Sequence, residues 1–160
     1  MRYPTYSELI FINGKILGDQ AIMTGAKQVR DIDLLLAAEQ RPQSSAFGAD
    51  AYPTLNEKAA ALLHSIARNH PFADGNKRTA TVGALFMLLT NGEKIVWRQG
   101  QALAQILDLA EGRANASDFA KWIETRSDQT FPEPDVDRDT RLIEEIMTEQ
   151  KWLLDELAGR

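Results

Sequence analysis

The segment from about Asn76 to Thr90 constrains the fold of this 160-residue chain more than any other part. Its apolar residues fall on nearly every side of a helix: Ala80, Val82, Ala84, Leu85, Phe86, Met87, Leu88 and Leu89. A helix that is apolar all round needs other elements around it to shield it from water. The sequence therefore predicts a central core helix, which Asn91-Gly92 ends.

A second strong helix precedes this one. Thr54 and Glu57 have the spacing of a capping box. Apolar residues then recur at helical spacing, at Ala59, Leu62, Leu63, Ile66 and Ala67. Because Pro71 disfavours helical backbone at the residue before it, this helix is predicted to end near Asn69. A turn of a few residues then joins the two helices.

Other segments indicate that most of the chain is helical. Asn13-Gly14 allows either a hairpin turn within Ile10–Leu17 or a helix that ends at a capping glycine, and Ser7-Glu8-Leu9 favours the helix. Further helices are predicted at Asp31–Gln40, Gln101–Glu111, Ser117–Arg126 (Ser117 as N-cap) and, after the break at Phe131–Pro134, Asp137–Leu157.

We therefore expect an all-α fold class, mostly helical, with a small flap or β-hairpin. Residues 1–130 should form the main domain, and residues 131–160 a C-terminal helical extension. The last helix has one apolar stripe, which must be covered by its own domain, by a second copy of the chain or by another partner.

Composition limits the possible functions. Hydrophobic residues make up 44% of the chain and charged residues 26%, which is ordinary for a soluble protein. The net charge of −5 disfavours nucleic acid as a partner. The lack of cysteine excludes disulfides and thiolate metal sites. The N-terminus has no signal-peptide pattern and no apolar run could span a bilayer, so we expect a cytoplasmic protein without a membrane partner.

The turn between the two strong helices concentrates reactive side chains. His70 can accept a proton near neutral pH, and Asp74 offers a hard oxygen ligand of the kind that Mg²⁺ prefers. Gly75 permits a tight turn close to a ligand. Lys77 and Arg78 follow in the first turn of the next helix, where the dipole disfavours cations unless an anion is bound. The run therefore indicates a phosphate site.

Each part of this run also has an ordinary explanation. A histidine after a helix is usually a cap or a surface residue, Asp-Gly-Asn is a common turn, and Lys-Arg is usually solvated. Phe72 is more often a core residue than a ligand contact. The inference of a phosphate site therefore depends on the combination of these residues in one string, His70-Pro71-Phe72-Ala73-Asp74-Gly75-Asn76-Lys77-Arg78.

That string resembles the signature of the Fic/Doc family, His-Pro-Phe-x-Asp/Glu-Gly-Asn-Gly/Lys-Arg. Lys77 stands where most Fic enzymes have a second glycine, and it is similar to the Doc branch, the death-on-curing toxins. Upstream segments such as Val29-Arg30-Asp31 and Lys58–Asn69 also resemble Doc sequences. The likeness covers most of residues 1–126, and it makes residues 1–130 a Fic/Doc domain.

The resemblance implies a transferase with ATP as donor and Mg²⁺ as cofactor. His70 would be the general base on a target hydroxyl, and Asp74 would hold Mg²⁺. The backbone of Gly75, Asn76 and Lys77 would bind phosphate, with help from the Asn76 side chain. Arg78 would neutralise charge in the transition state. Pro71 and Phe72 would be structural, with Phe72 pointing into the core.

Lys77 bears on which phosphate moves. In Doc-like proteins a lysine there is associated with an inverted nucleotide that presents its γ-phosphate, giving a Ser/Thr protein kinase. Thr81, where many AMP transferases have a second arginine, supports this branch. Gly75, where prototype Doc proteins have alanine, keeps AMP transfer as the alternative. A catalytically weak binding module is the third reading.

The resemblance also implies partners. The target would be a protein with a Ser, Thr or Tyr hydroxyl, which for the prototype is elongation factor Tu, so that translation stops. A separate antitoxin would restrain the toxin. A flap at Ser44, Ser45, Ala46 and Phe47 would dock the target, although a plain surface loop is an equal alternative. A homo-oligomer through the last helix is a further alternative.

Overall fold

The computed structural model describes residues 1–18 and 27–160, and within these ranges it has eight α-helices and two small antiparallel sheets. The helices are α1 (Tyr6–Leu17), α2 (Ile32–Gln40), α3 (Leu55–Asn69), α4 (Asn76–Thr90), α5 (Gln99–Ala110), α6 (Ala116–Trp122), α7 (Val136–Glu149) and α8 (Lys151–Ala158). The strands are β1 (Ser45–Ala46), β2 (Ala49–Asp50), β3 (Asn91–Ile95) and β4 (Thr125–Thr130). The predicted mostly helical fold class is confirmed.

Helix α4 is the centre of the core, as its sequence predicts. Every residue from Thr79 to Leu88 is buried, and α1, α3, α7, α8 and β3 all pack against this helix. At Gly83 an added Cβ would lie 3.1 Å from Leu9 Cδ2, so the missing side chain lets α1 approach closely. Burial on all sides is what an all-round apolar helix requires.

Helix α3 also matches its prediction. The Thr54 side chain accepts a hydrogen bond from the Glu57 N–H, and the Glu57 carboxylate accepts one from the Thr54 N–H, which completes the capping box. The helix ends at Asn69, and His70 follows with left-handed backbone (φ 54°, ψ 60°). The break before Pro71 therefore falls where the proline predicts it.

The structure corrects the ends of two predicted helices. Helix α1 is confirmed over the hairpin alternative, but it runs through Asn13-Gly14 and ends at Gly18 (φ 68°). Helix α6 is capped by Asn115, whose side chain accepts from the Asp118 N–H at 2.8 Å, and not by Ser117. The N-cap residue stands directly before the first helical residue and its side chain reaches a free N–H of the first turn; Asn115 holds that place, and Ser117 already lies inside the helix.

One sheet was expected and two are present in the described ranges. Strands β1 and β2 form the predicted small hairpin. Strands β3 and β4 pair across α5 and α6, with Ile95 opposite Thr125, so the segment after Trp122 is a strand and not the end of a helix. Both strands are largely polar and lack the alternation that marks a strand in sequence.

The predicted C-terminal helix is split in two at Gln150, which has φ −100° and ψ 19°. Side chains outside the helix bond to the backbone around the break. Gln99 Nε2 donates to the Glu149 carbonyl at 2.8 Å, and Gln99 Oε1 accepts from the Leu153 N–H at 3.0 Å. Trp97 Nε1 donates to Gln150 Oε1 at 3.0 Å. Polar side chains far away in the sequence thus bond to backbone groups that the break leaves free. The spacing of apolar residues along the helix does not indicate such a break.

Helices α7 and α8 bury their apolar stripe within the chain. The buried side chains Ile143, Ile146, Leu153, Leu154 and Leu157 belong to the same hydrophobic cluster as α4. Residues 131–160 therefore share one core with the earlier residues. This packing also removes the reason for expecting a second copy of the chain on the stripe.

Candidate active site

The reactive run lies in the turn between α3 and α4. His70 is exposed and is the last residue before the turn. Its positive φ is uncommon for a residue other than glycine, and such residues are enriched both at helix ends and at functional sites. Arg30 fixes this conformation, because its Nε donates to the His70 carbonyl at 2.7 Å and its Nη2 to the Asn69 carbonyl at 2.9 Å.

Asn76 braces the turn from inside. Its Oδ1 accepts from the Phe72 N–H and its Nδ2 donates to the Phe72 carbonyl, both at 2.9 Å. Its Nδ2 also lies 3.4 Å from His70 Nδ1, which is long for a hydrogen bond. Since both ends of the amide are occupied by Phe72, Asn76 has its backbone N–H, rather than its side chain, to offer to an anion.

Pro71 and Phe72 lie beneath this turn. Both are buried, and Phe72 is one of the largest fully buried side chains among the described residues. The Pro71 carbonyl accepts from the N–H groups of Arg30 and Asp31 at 2.8 and 3.1 Å. These contacts tie the turn to the segment before α2, so its conformation is set by long-range bonds.

The N-terminal end of α4 is left open. Gly75 precedes the helix with φ 74°, and no side chain caps the first turn. Uncapped N–H groups carry the positive end of the helix dipole. Lys77 and Arg78 add two cations to the same turn, so three sources of positive potential converge on one place.

A cavity of about 210 Å³ lies against this open end. Its lining residues are His70, Ala73, Asp74, Gly75, Asn76, Lys77, Arg78, Leu157, Ala158 and Arg160. Every residue that sequence reasoning assigned to proton transfer, metal or phosphate thus faces the same cavity. A larger groove of about 1000 Å³ lies elsewhere, along the N-terminus of α3 and the end of α4, and none of the predicted site residues lines it.

Electrostatics favour the neutral form of His70. Partial burial lowers its pKa, and the positive charges of Lys77, Arg30 and Arg68 lower it further. Because the ordinary value is about 6.5, the ring is unprotonated at neutral pH. A neutral imidazole is the form that can take a proton from a hydroxyl.

Asp74 satisfies the requirements for a nucleotide-linked Mg²⁺ ion. Its side chain is 77% exposed at the cavity, and its Oδ1 accepts from the Gly75 N–H at 2.7 Å and lies 4.0 Å from Arg78 Nη2. Within residues 1–18 and 27–160 no group of three His, Asp or Glu side chains could hold a metal. Mg²⁺ in nucleotide sites is commonly held by one or two carboxylates together with the phosphates, so a single exposed carboxylate is sufficient.

The C-terminal segment forms the wall of the cavity opposite the turn. Lys77 Nζ donates to the Arg160 carbonyl at 3.0 Å, and Leu157 and Ala158 lie beside it. No pattern in the sequence indicates that residues so far along the chain reach the motif.

Sequence reasoning also missed Asn13. This side chain is completely buried in α1, and its Nδ2 donates to the Asp74 carbonyl at 2.9 Å and to Thr79 Oγ1 at 3.0 Å. Its Oδ1 accepts from Gln28 Nε2 at 3.0 Å. An asparagine next to glycine suggests a turn, and only the continuation of α1 past Gly14 would have indicated a buried role.

The flap residues lie away from the cavity. Ser44 precedes the β1–β2 hairpin, Ser45 and Ala46 form β1, and Phe47 and Gly48 form the turn with φ 53° and 78°. Phe47 is fully exposed. The structure does not bring these four residues, Ser44 to Phe47, to the lining of the cavity.

Two cations hold the hairpin against α3. Lys58 is buried and donates to the Pro42 carbonyl at 3.1 Å, with Asp50 at 3.5 Å. Arg41 contacts both the Tyr52 hydroxyl and His64 Nδ1. Burial and the charges of Arg41 and Arg68 lower the pKa of His64, so this histidine is a packed neutral residue outside the cavity.

A search of the described helices for a membrane span finds none that is long and apolar enough.

The fold and the site define a class. A model of the Fic/Doc family matches residues 3–88, which include α1 to α3, most of α4 and the whole reactive run. The chain belongs to the Fic/Doc family.

Within that family the chain is similar to a protein that is named as a toxin. The chain is 55% identical over 71 residues to a protein named Toxin Doc from Mycolicibacterium smegmatis. The match covers 44% of this chain and 55% of that protein, so the chain spans about half the length of the curated relative.

Proposed function

We propose that this protein is a Doc-like toxin that transfers the γ-phosphate of ATP to a hydroxyl side chain of a target protein. The observation that carries the proposal is the shared cavity, in which a neutral His70 faces the uncapped start of α4 with Lys77 and Arg78. A base for a hydroxyl and a site for phosphate at one place are the two parts that phosphoryl transfer needs.

In the proposed reaction the target hydroxyl oxygen forms a bond to the γ-phosphorus. The bond from that phosphorus to the bridging oxygen breaks, and ADP leaves. The hydroxyl proton passes to His70, whose lowered pKa keeps a ring nitrogen available. His70 is exposed, so a side chain of another protein can reach it.

The phosphates would bind at the open end of α4. The N–H groups of Asn76 and Lys77 and the guanidinium of Arg78 supply fixed positive potential where negative charge develops. The Gly75 N–H lies beside them and donates to Asp74 Oδ1 in the free protein. Such donors act without reorganising during the reaction. Asp74 would hold Mg²⁺ against the phosphates, and the ion would neutralise their charge when bound.

Lys77 supports transfer of the γ-phosphate over transfer of AMP. Its side chain lines the cavity with its Nζ at the Arg160 carbonyl, so it fills space that a glycine would leave to a second phosphate. Thr81 agrees with this choice, since it stands where many AMP transferases have a second arginine. Its side chain is buried and donates to the Lys77 carbonyl at 2.8 Å. AMP transfer is the second candidate, and Gly75 is the residue that favours it.

The name of the M. smegmatis relative supports the biological setting. We infer a toxin whose target, by analogy with the prototype, is elongation factor Tu in the cytoplasm, with arrest of translation as the result. An antitoxin protein would be its partner. The exposed hairpin with Phe47 would dock the target as an extended peptide.

Labelling tests the chemistry directly. The protein is incubated with Mg²⁺, a bacterial extract and ATP labelled either at the γ- or at the α-phosphate. Label in protein from γ alone supports the kinase, and label from α supports AMP transfer. No label from either donor, with the same result for His70→Ala, would leave only a binding module. Induced expression in bacteria adds a second test, since the toxin should arrest growth and His70→Ala should not.

A further inference from the structure

Asn13 contacts the proposed phosphate site from both sides without facing it. The side chain donates to the Asp74 carbonyl, just before Gly75, and to the Thr79 hydroxyl, just after Arg78. The four residues between these two contacts carry the open N–H groups and the cations. We propose that Asn13 is a positioning residue, which sets the direction of the Gly75–Arg78 backbone for phosphate.

The burial of Asn13 supports a specific role. The side chain is 0% exposed and uses both donors and its acceptor. A buried amide is costly unless its partners are in place, and fully satisfied networks favour one geometry. Gln28 sets the orientation of the amide, because its Nε2 donates both to Asn13 Oδ1 and to the Ile10 carbonyl.

The other hydrogen bonds at this point are local: the Gly75 N–H donates to Asp74 Oδ1 at 2.7 Å, and the Gly75 carbonyl accepts from the Thr79 N–H at 2.8 Å. Gly75 has left-handed backbone with no side-chain cap, and the Asp74 side chain is mostly exposed. The Asp74 carbonyl contact is therefore the one bond that a buried side chain of α1 gives to this part of the turn. A shift there would move the N–H groups of Gly75 and Asn76 away from a bound phosphate. Small misplacements of such groups cause a large loss of rate.

The chain offers a matched control at the other end of α4. Asn91 also makes three hydrogen bonds through its amide: it accepts from the Arg2 N–H, and it donates to the carbonyls of Arg2 and Met87. It lies beyond the last turn of the helix, where no phosphate contact is proposed. Replacing either asparagine by leucine removes three bonds, so a general loss of stability should affect both variants.

The proposal rests on the proposed function, and ATP affinity is the first readout. Isothermal titration with Mg²⁺ and ATP should show a Kd raised by about tenfold or more in Asn13→Leu, as for other outer contacts of a binding site. Asn91→Leu should keep the affinity of the unchanged protein at the same loss of stability. Equal affinities in the two variants would overturn the proposal.

A second variant and a second measurement test the proposal if Asn13→Leu does not fold or if the unchanged protein does not bind ATP. If Asn13→Leu fails to fold, Asn13→Asp keeps the shape and the Gln28 contact while replacing the amide donor, and Asn91→Asp is its control. If the unchanged protein binds no ATP, the proposed function fails, and Asn13 is judged by amide hydrogen exchange. Faster exchange at Gly75 and Asn76 in the Asn13 variant than in its control supports the positioning role, and equal exchange overturns it.

Discussion

At the C-terminal end of α4, carbonyl groups of the last turns accept hydrogen bonds from side chains. Thr90 Oγ1 donates to the Phe86 carbonyl at 2.9 Å, and Asn91 Nδ2 donates to the Met87 carbonyl at 2.8 Å. At its N-terminal end no side chain caps the helix, and two cations occupy the first turn. One helix thus has a closed end and an open end.

The charges at the two ends differ in the same way. Beside the closed end, Arg2 is buried and paired with Glu8 and Asp139, each at 2.7 Å. Beside the open end, Arg30 and Arg68 bond to carbonyl oxygens, and their charge lowers the pKa of His70. The comparison teaches that side chains close one end of α4, whereas the end at which we propose phosphate binding is left without a cap.

The largest effect should come from His70→Ala. Removing the base should slow transfer about 10³-fold, because no other neutral base lines the cavity within the described residues. Steady-state transfer of label measures the loss, and ATP affinity should stay unchanged. His64→Gln, on the helix that ends just before His70, is the control, and an equal loss there would contradict the assignment.

At the closed end, Arg2→Ala should act on stability alone. It removes the ion pairs of Arg2 with Glu8 and with the buried Asp139, which keeps only Arg138, and breaking such a buried pair costs about 3 kcal/mol. Denaturant unfolding measures this free energy. ATP affinity, measured on the folded variant, should not change, and a clear loss of affinity would show that the two ends are coupled.

Two glycines provide a direct comparison between the ends. An added Cβ at Gly75 would lie 3.1 Å from Leu17 Cδ2, and one at Gly92 would lie 2.6 Å from Thr130 Cγ2; both residues have positive φ. Alanine at either position should cost about 1–2 kcal/mol of unfolding free energy. Only Gly75→Ala should also weaken ATP binding, and the same effect from Gly92→Ala would contradict the distinction.

The smallest effect concerns pH. His64 and His70 have pKa values below 6.5 in the folded protein, so the unfolded chain binds more protons below that pH. The stability they provide is present above about pH 6.5 and is lost as the pH falls through the folded values. Thermal melts should show this loss, and His64→Gln should reduce it.

The closed end should respond at lower pH. Burial acts to raise the pKa of Asp139, but hydrogen bonds from Arg2, the Asp135 N–H and Arg138 outweigh it, and the pKa lies below 3.8. Its contribution to stability is present above that value and is lost as the pH falls through the folded pKa. Arg2→Ala should reduce this second loss, since the Asp135 N–H and Arg138 still bond to Asp139, and should leave the first unchanged.

The sequence predicts the parts of this molecule that local signals encode. The all-round apolar helix α4, the capping box at Thr54 and the stop before Pro71 each depend on neighbouring residues, and each is confirmed. The grouping of His70 to Arg78 at one helix end follows from the same local signals.

Long-range contacts decide what the sequence did not reveal. Gln99 reaches 50 residues along the chain to break the C-terminal helix, and Asn13 reaches 61 residues to hold the turn. The polar strands β3 and β4 also pair over a long separation. No pattern within a short window records such contacts, so the support of the site emerges only with the fold.

Titration of ¹⁵N-labelled protein with Mg²⁺ and ATP, followed by amide NMR shifts, tests the central claim most directly. The open end should respond, with the largest shifts at Gly75, Asn76, Lys77 and Arg78, while Asn91 and Gly92 stay unchanged. Shifts confined to the closed end and the larger groove, around Thr54 to Glu57 and Thr90, would contradict the account.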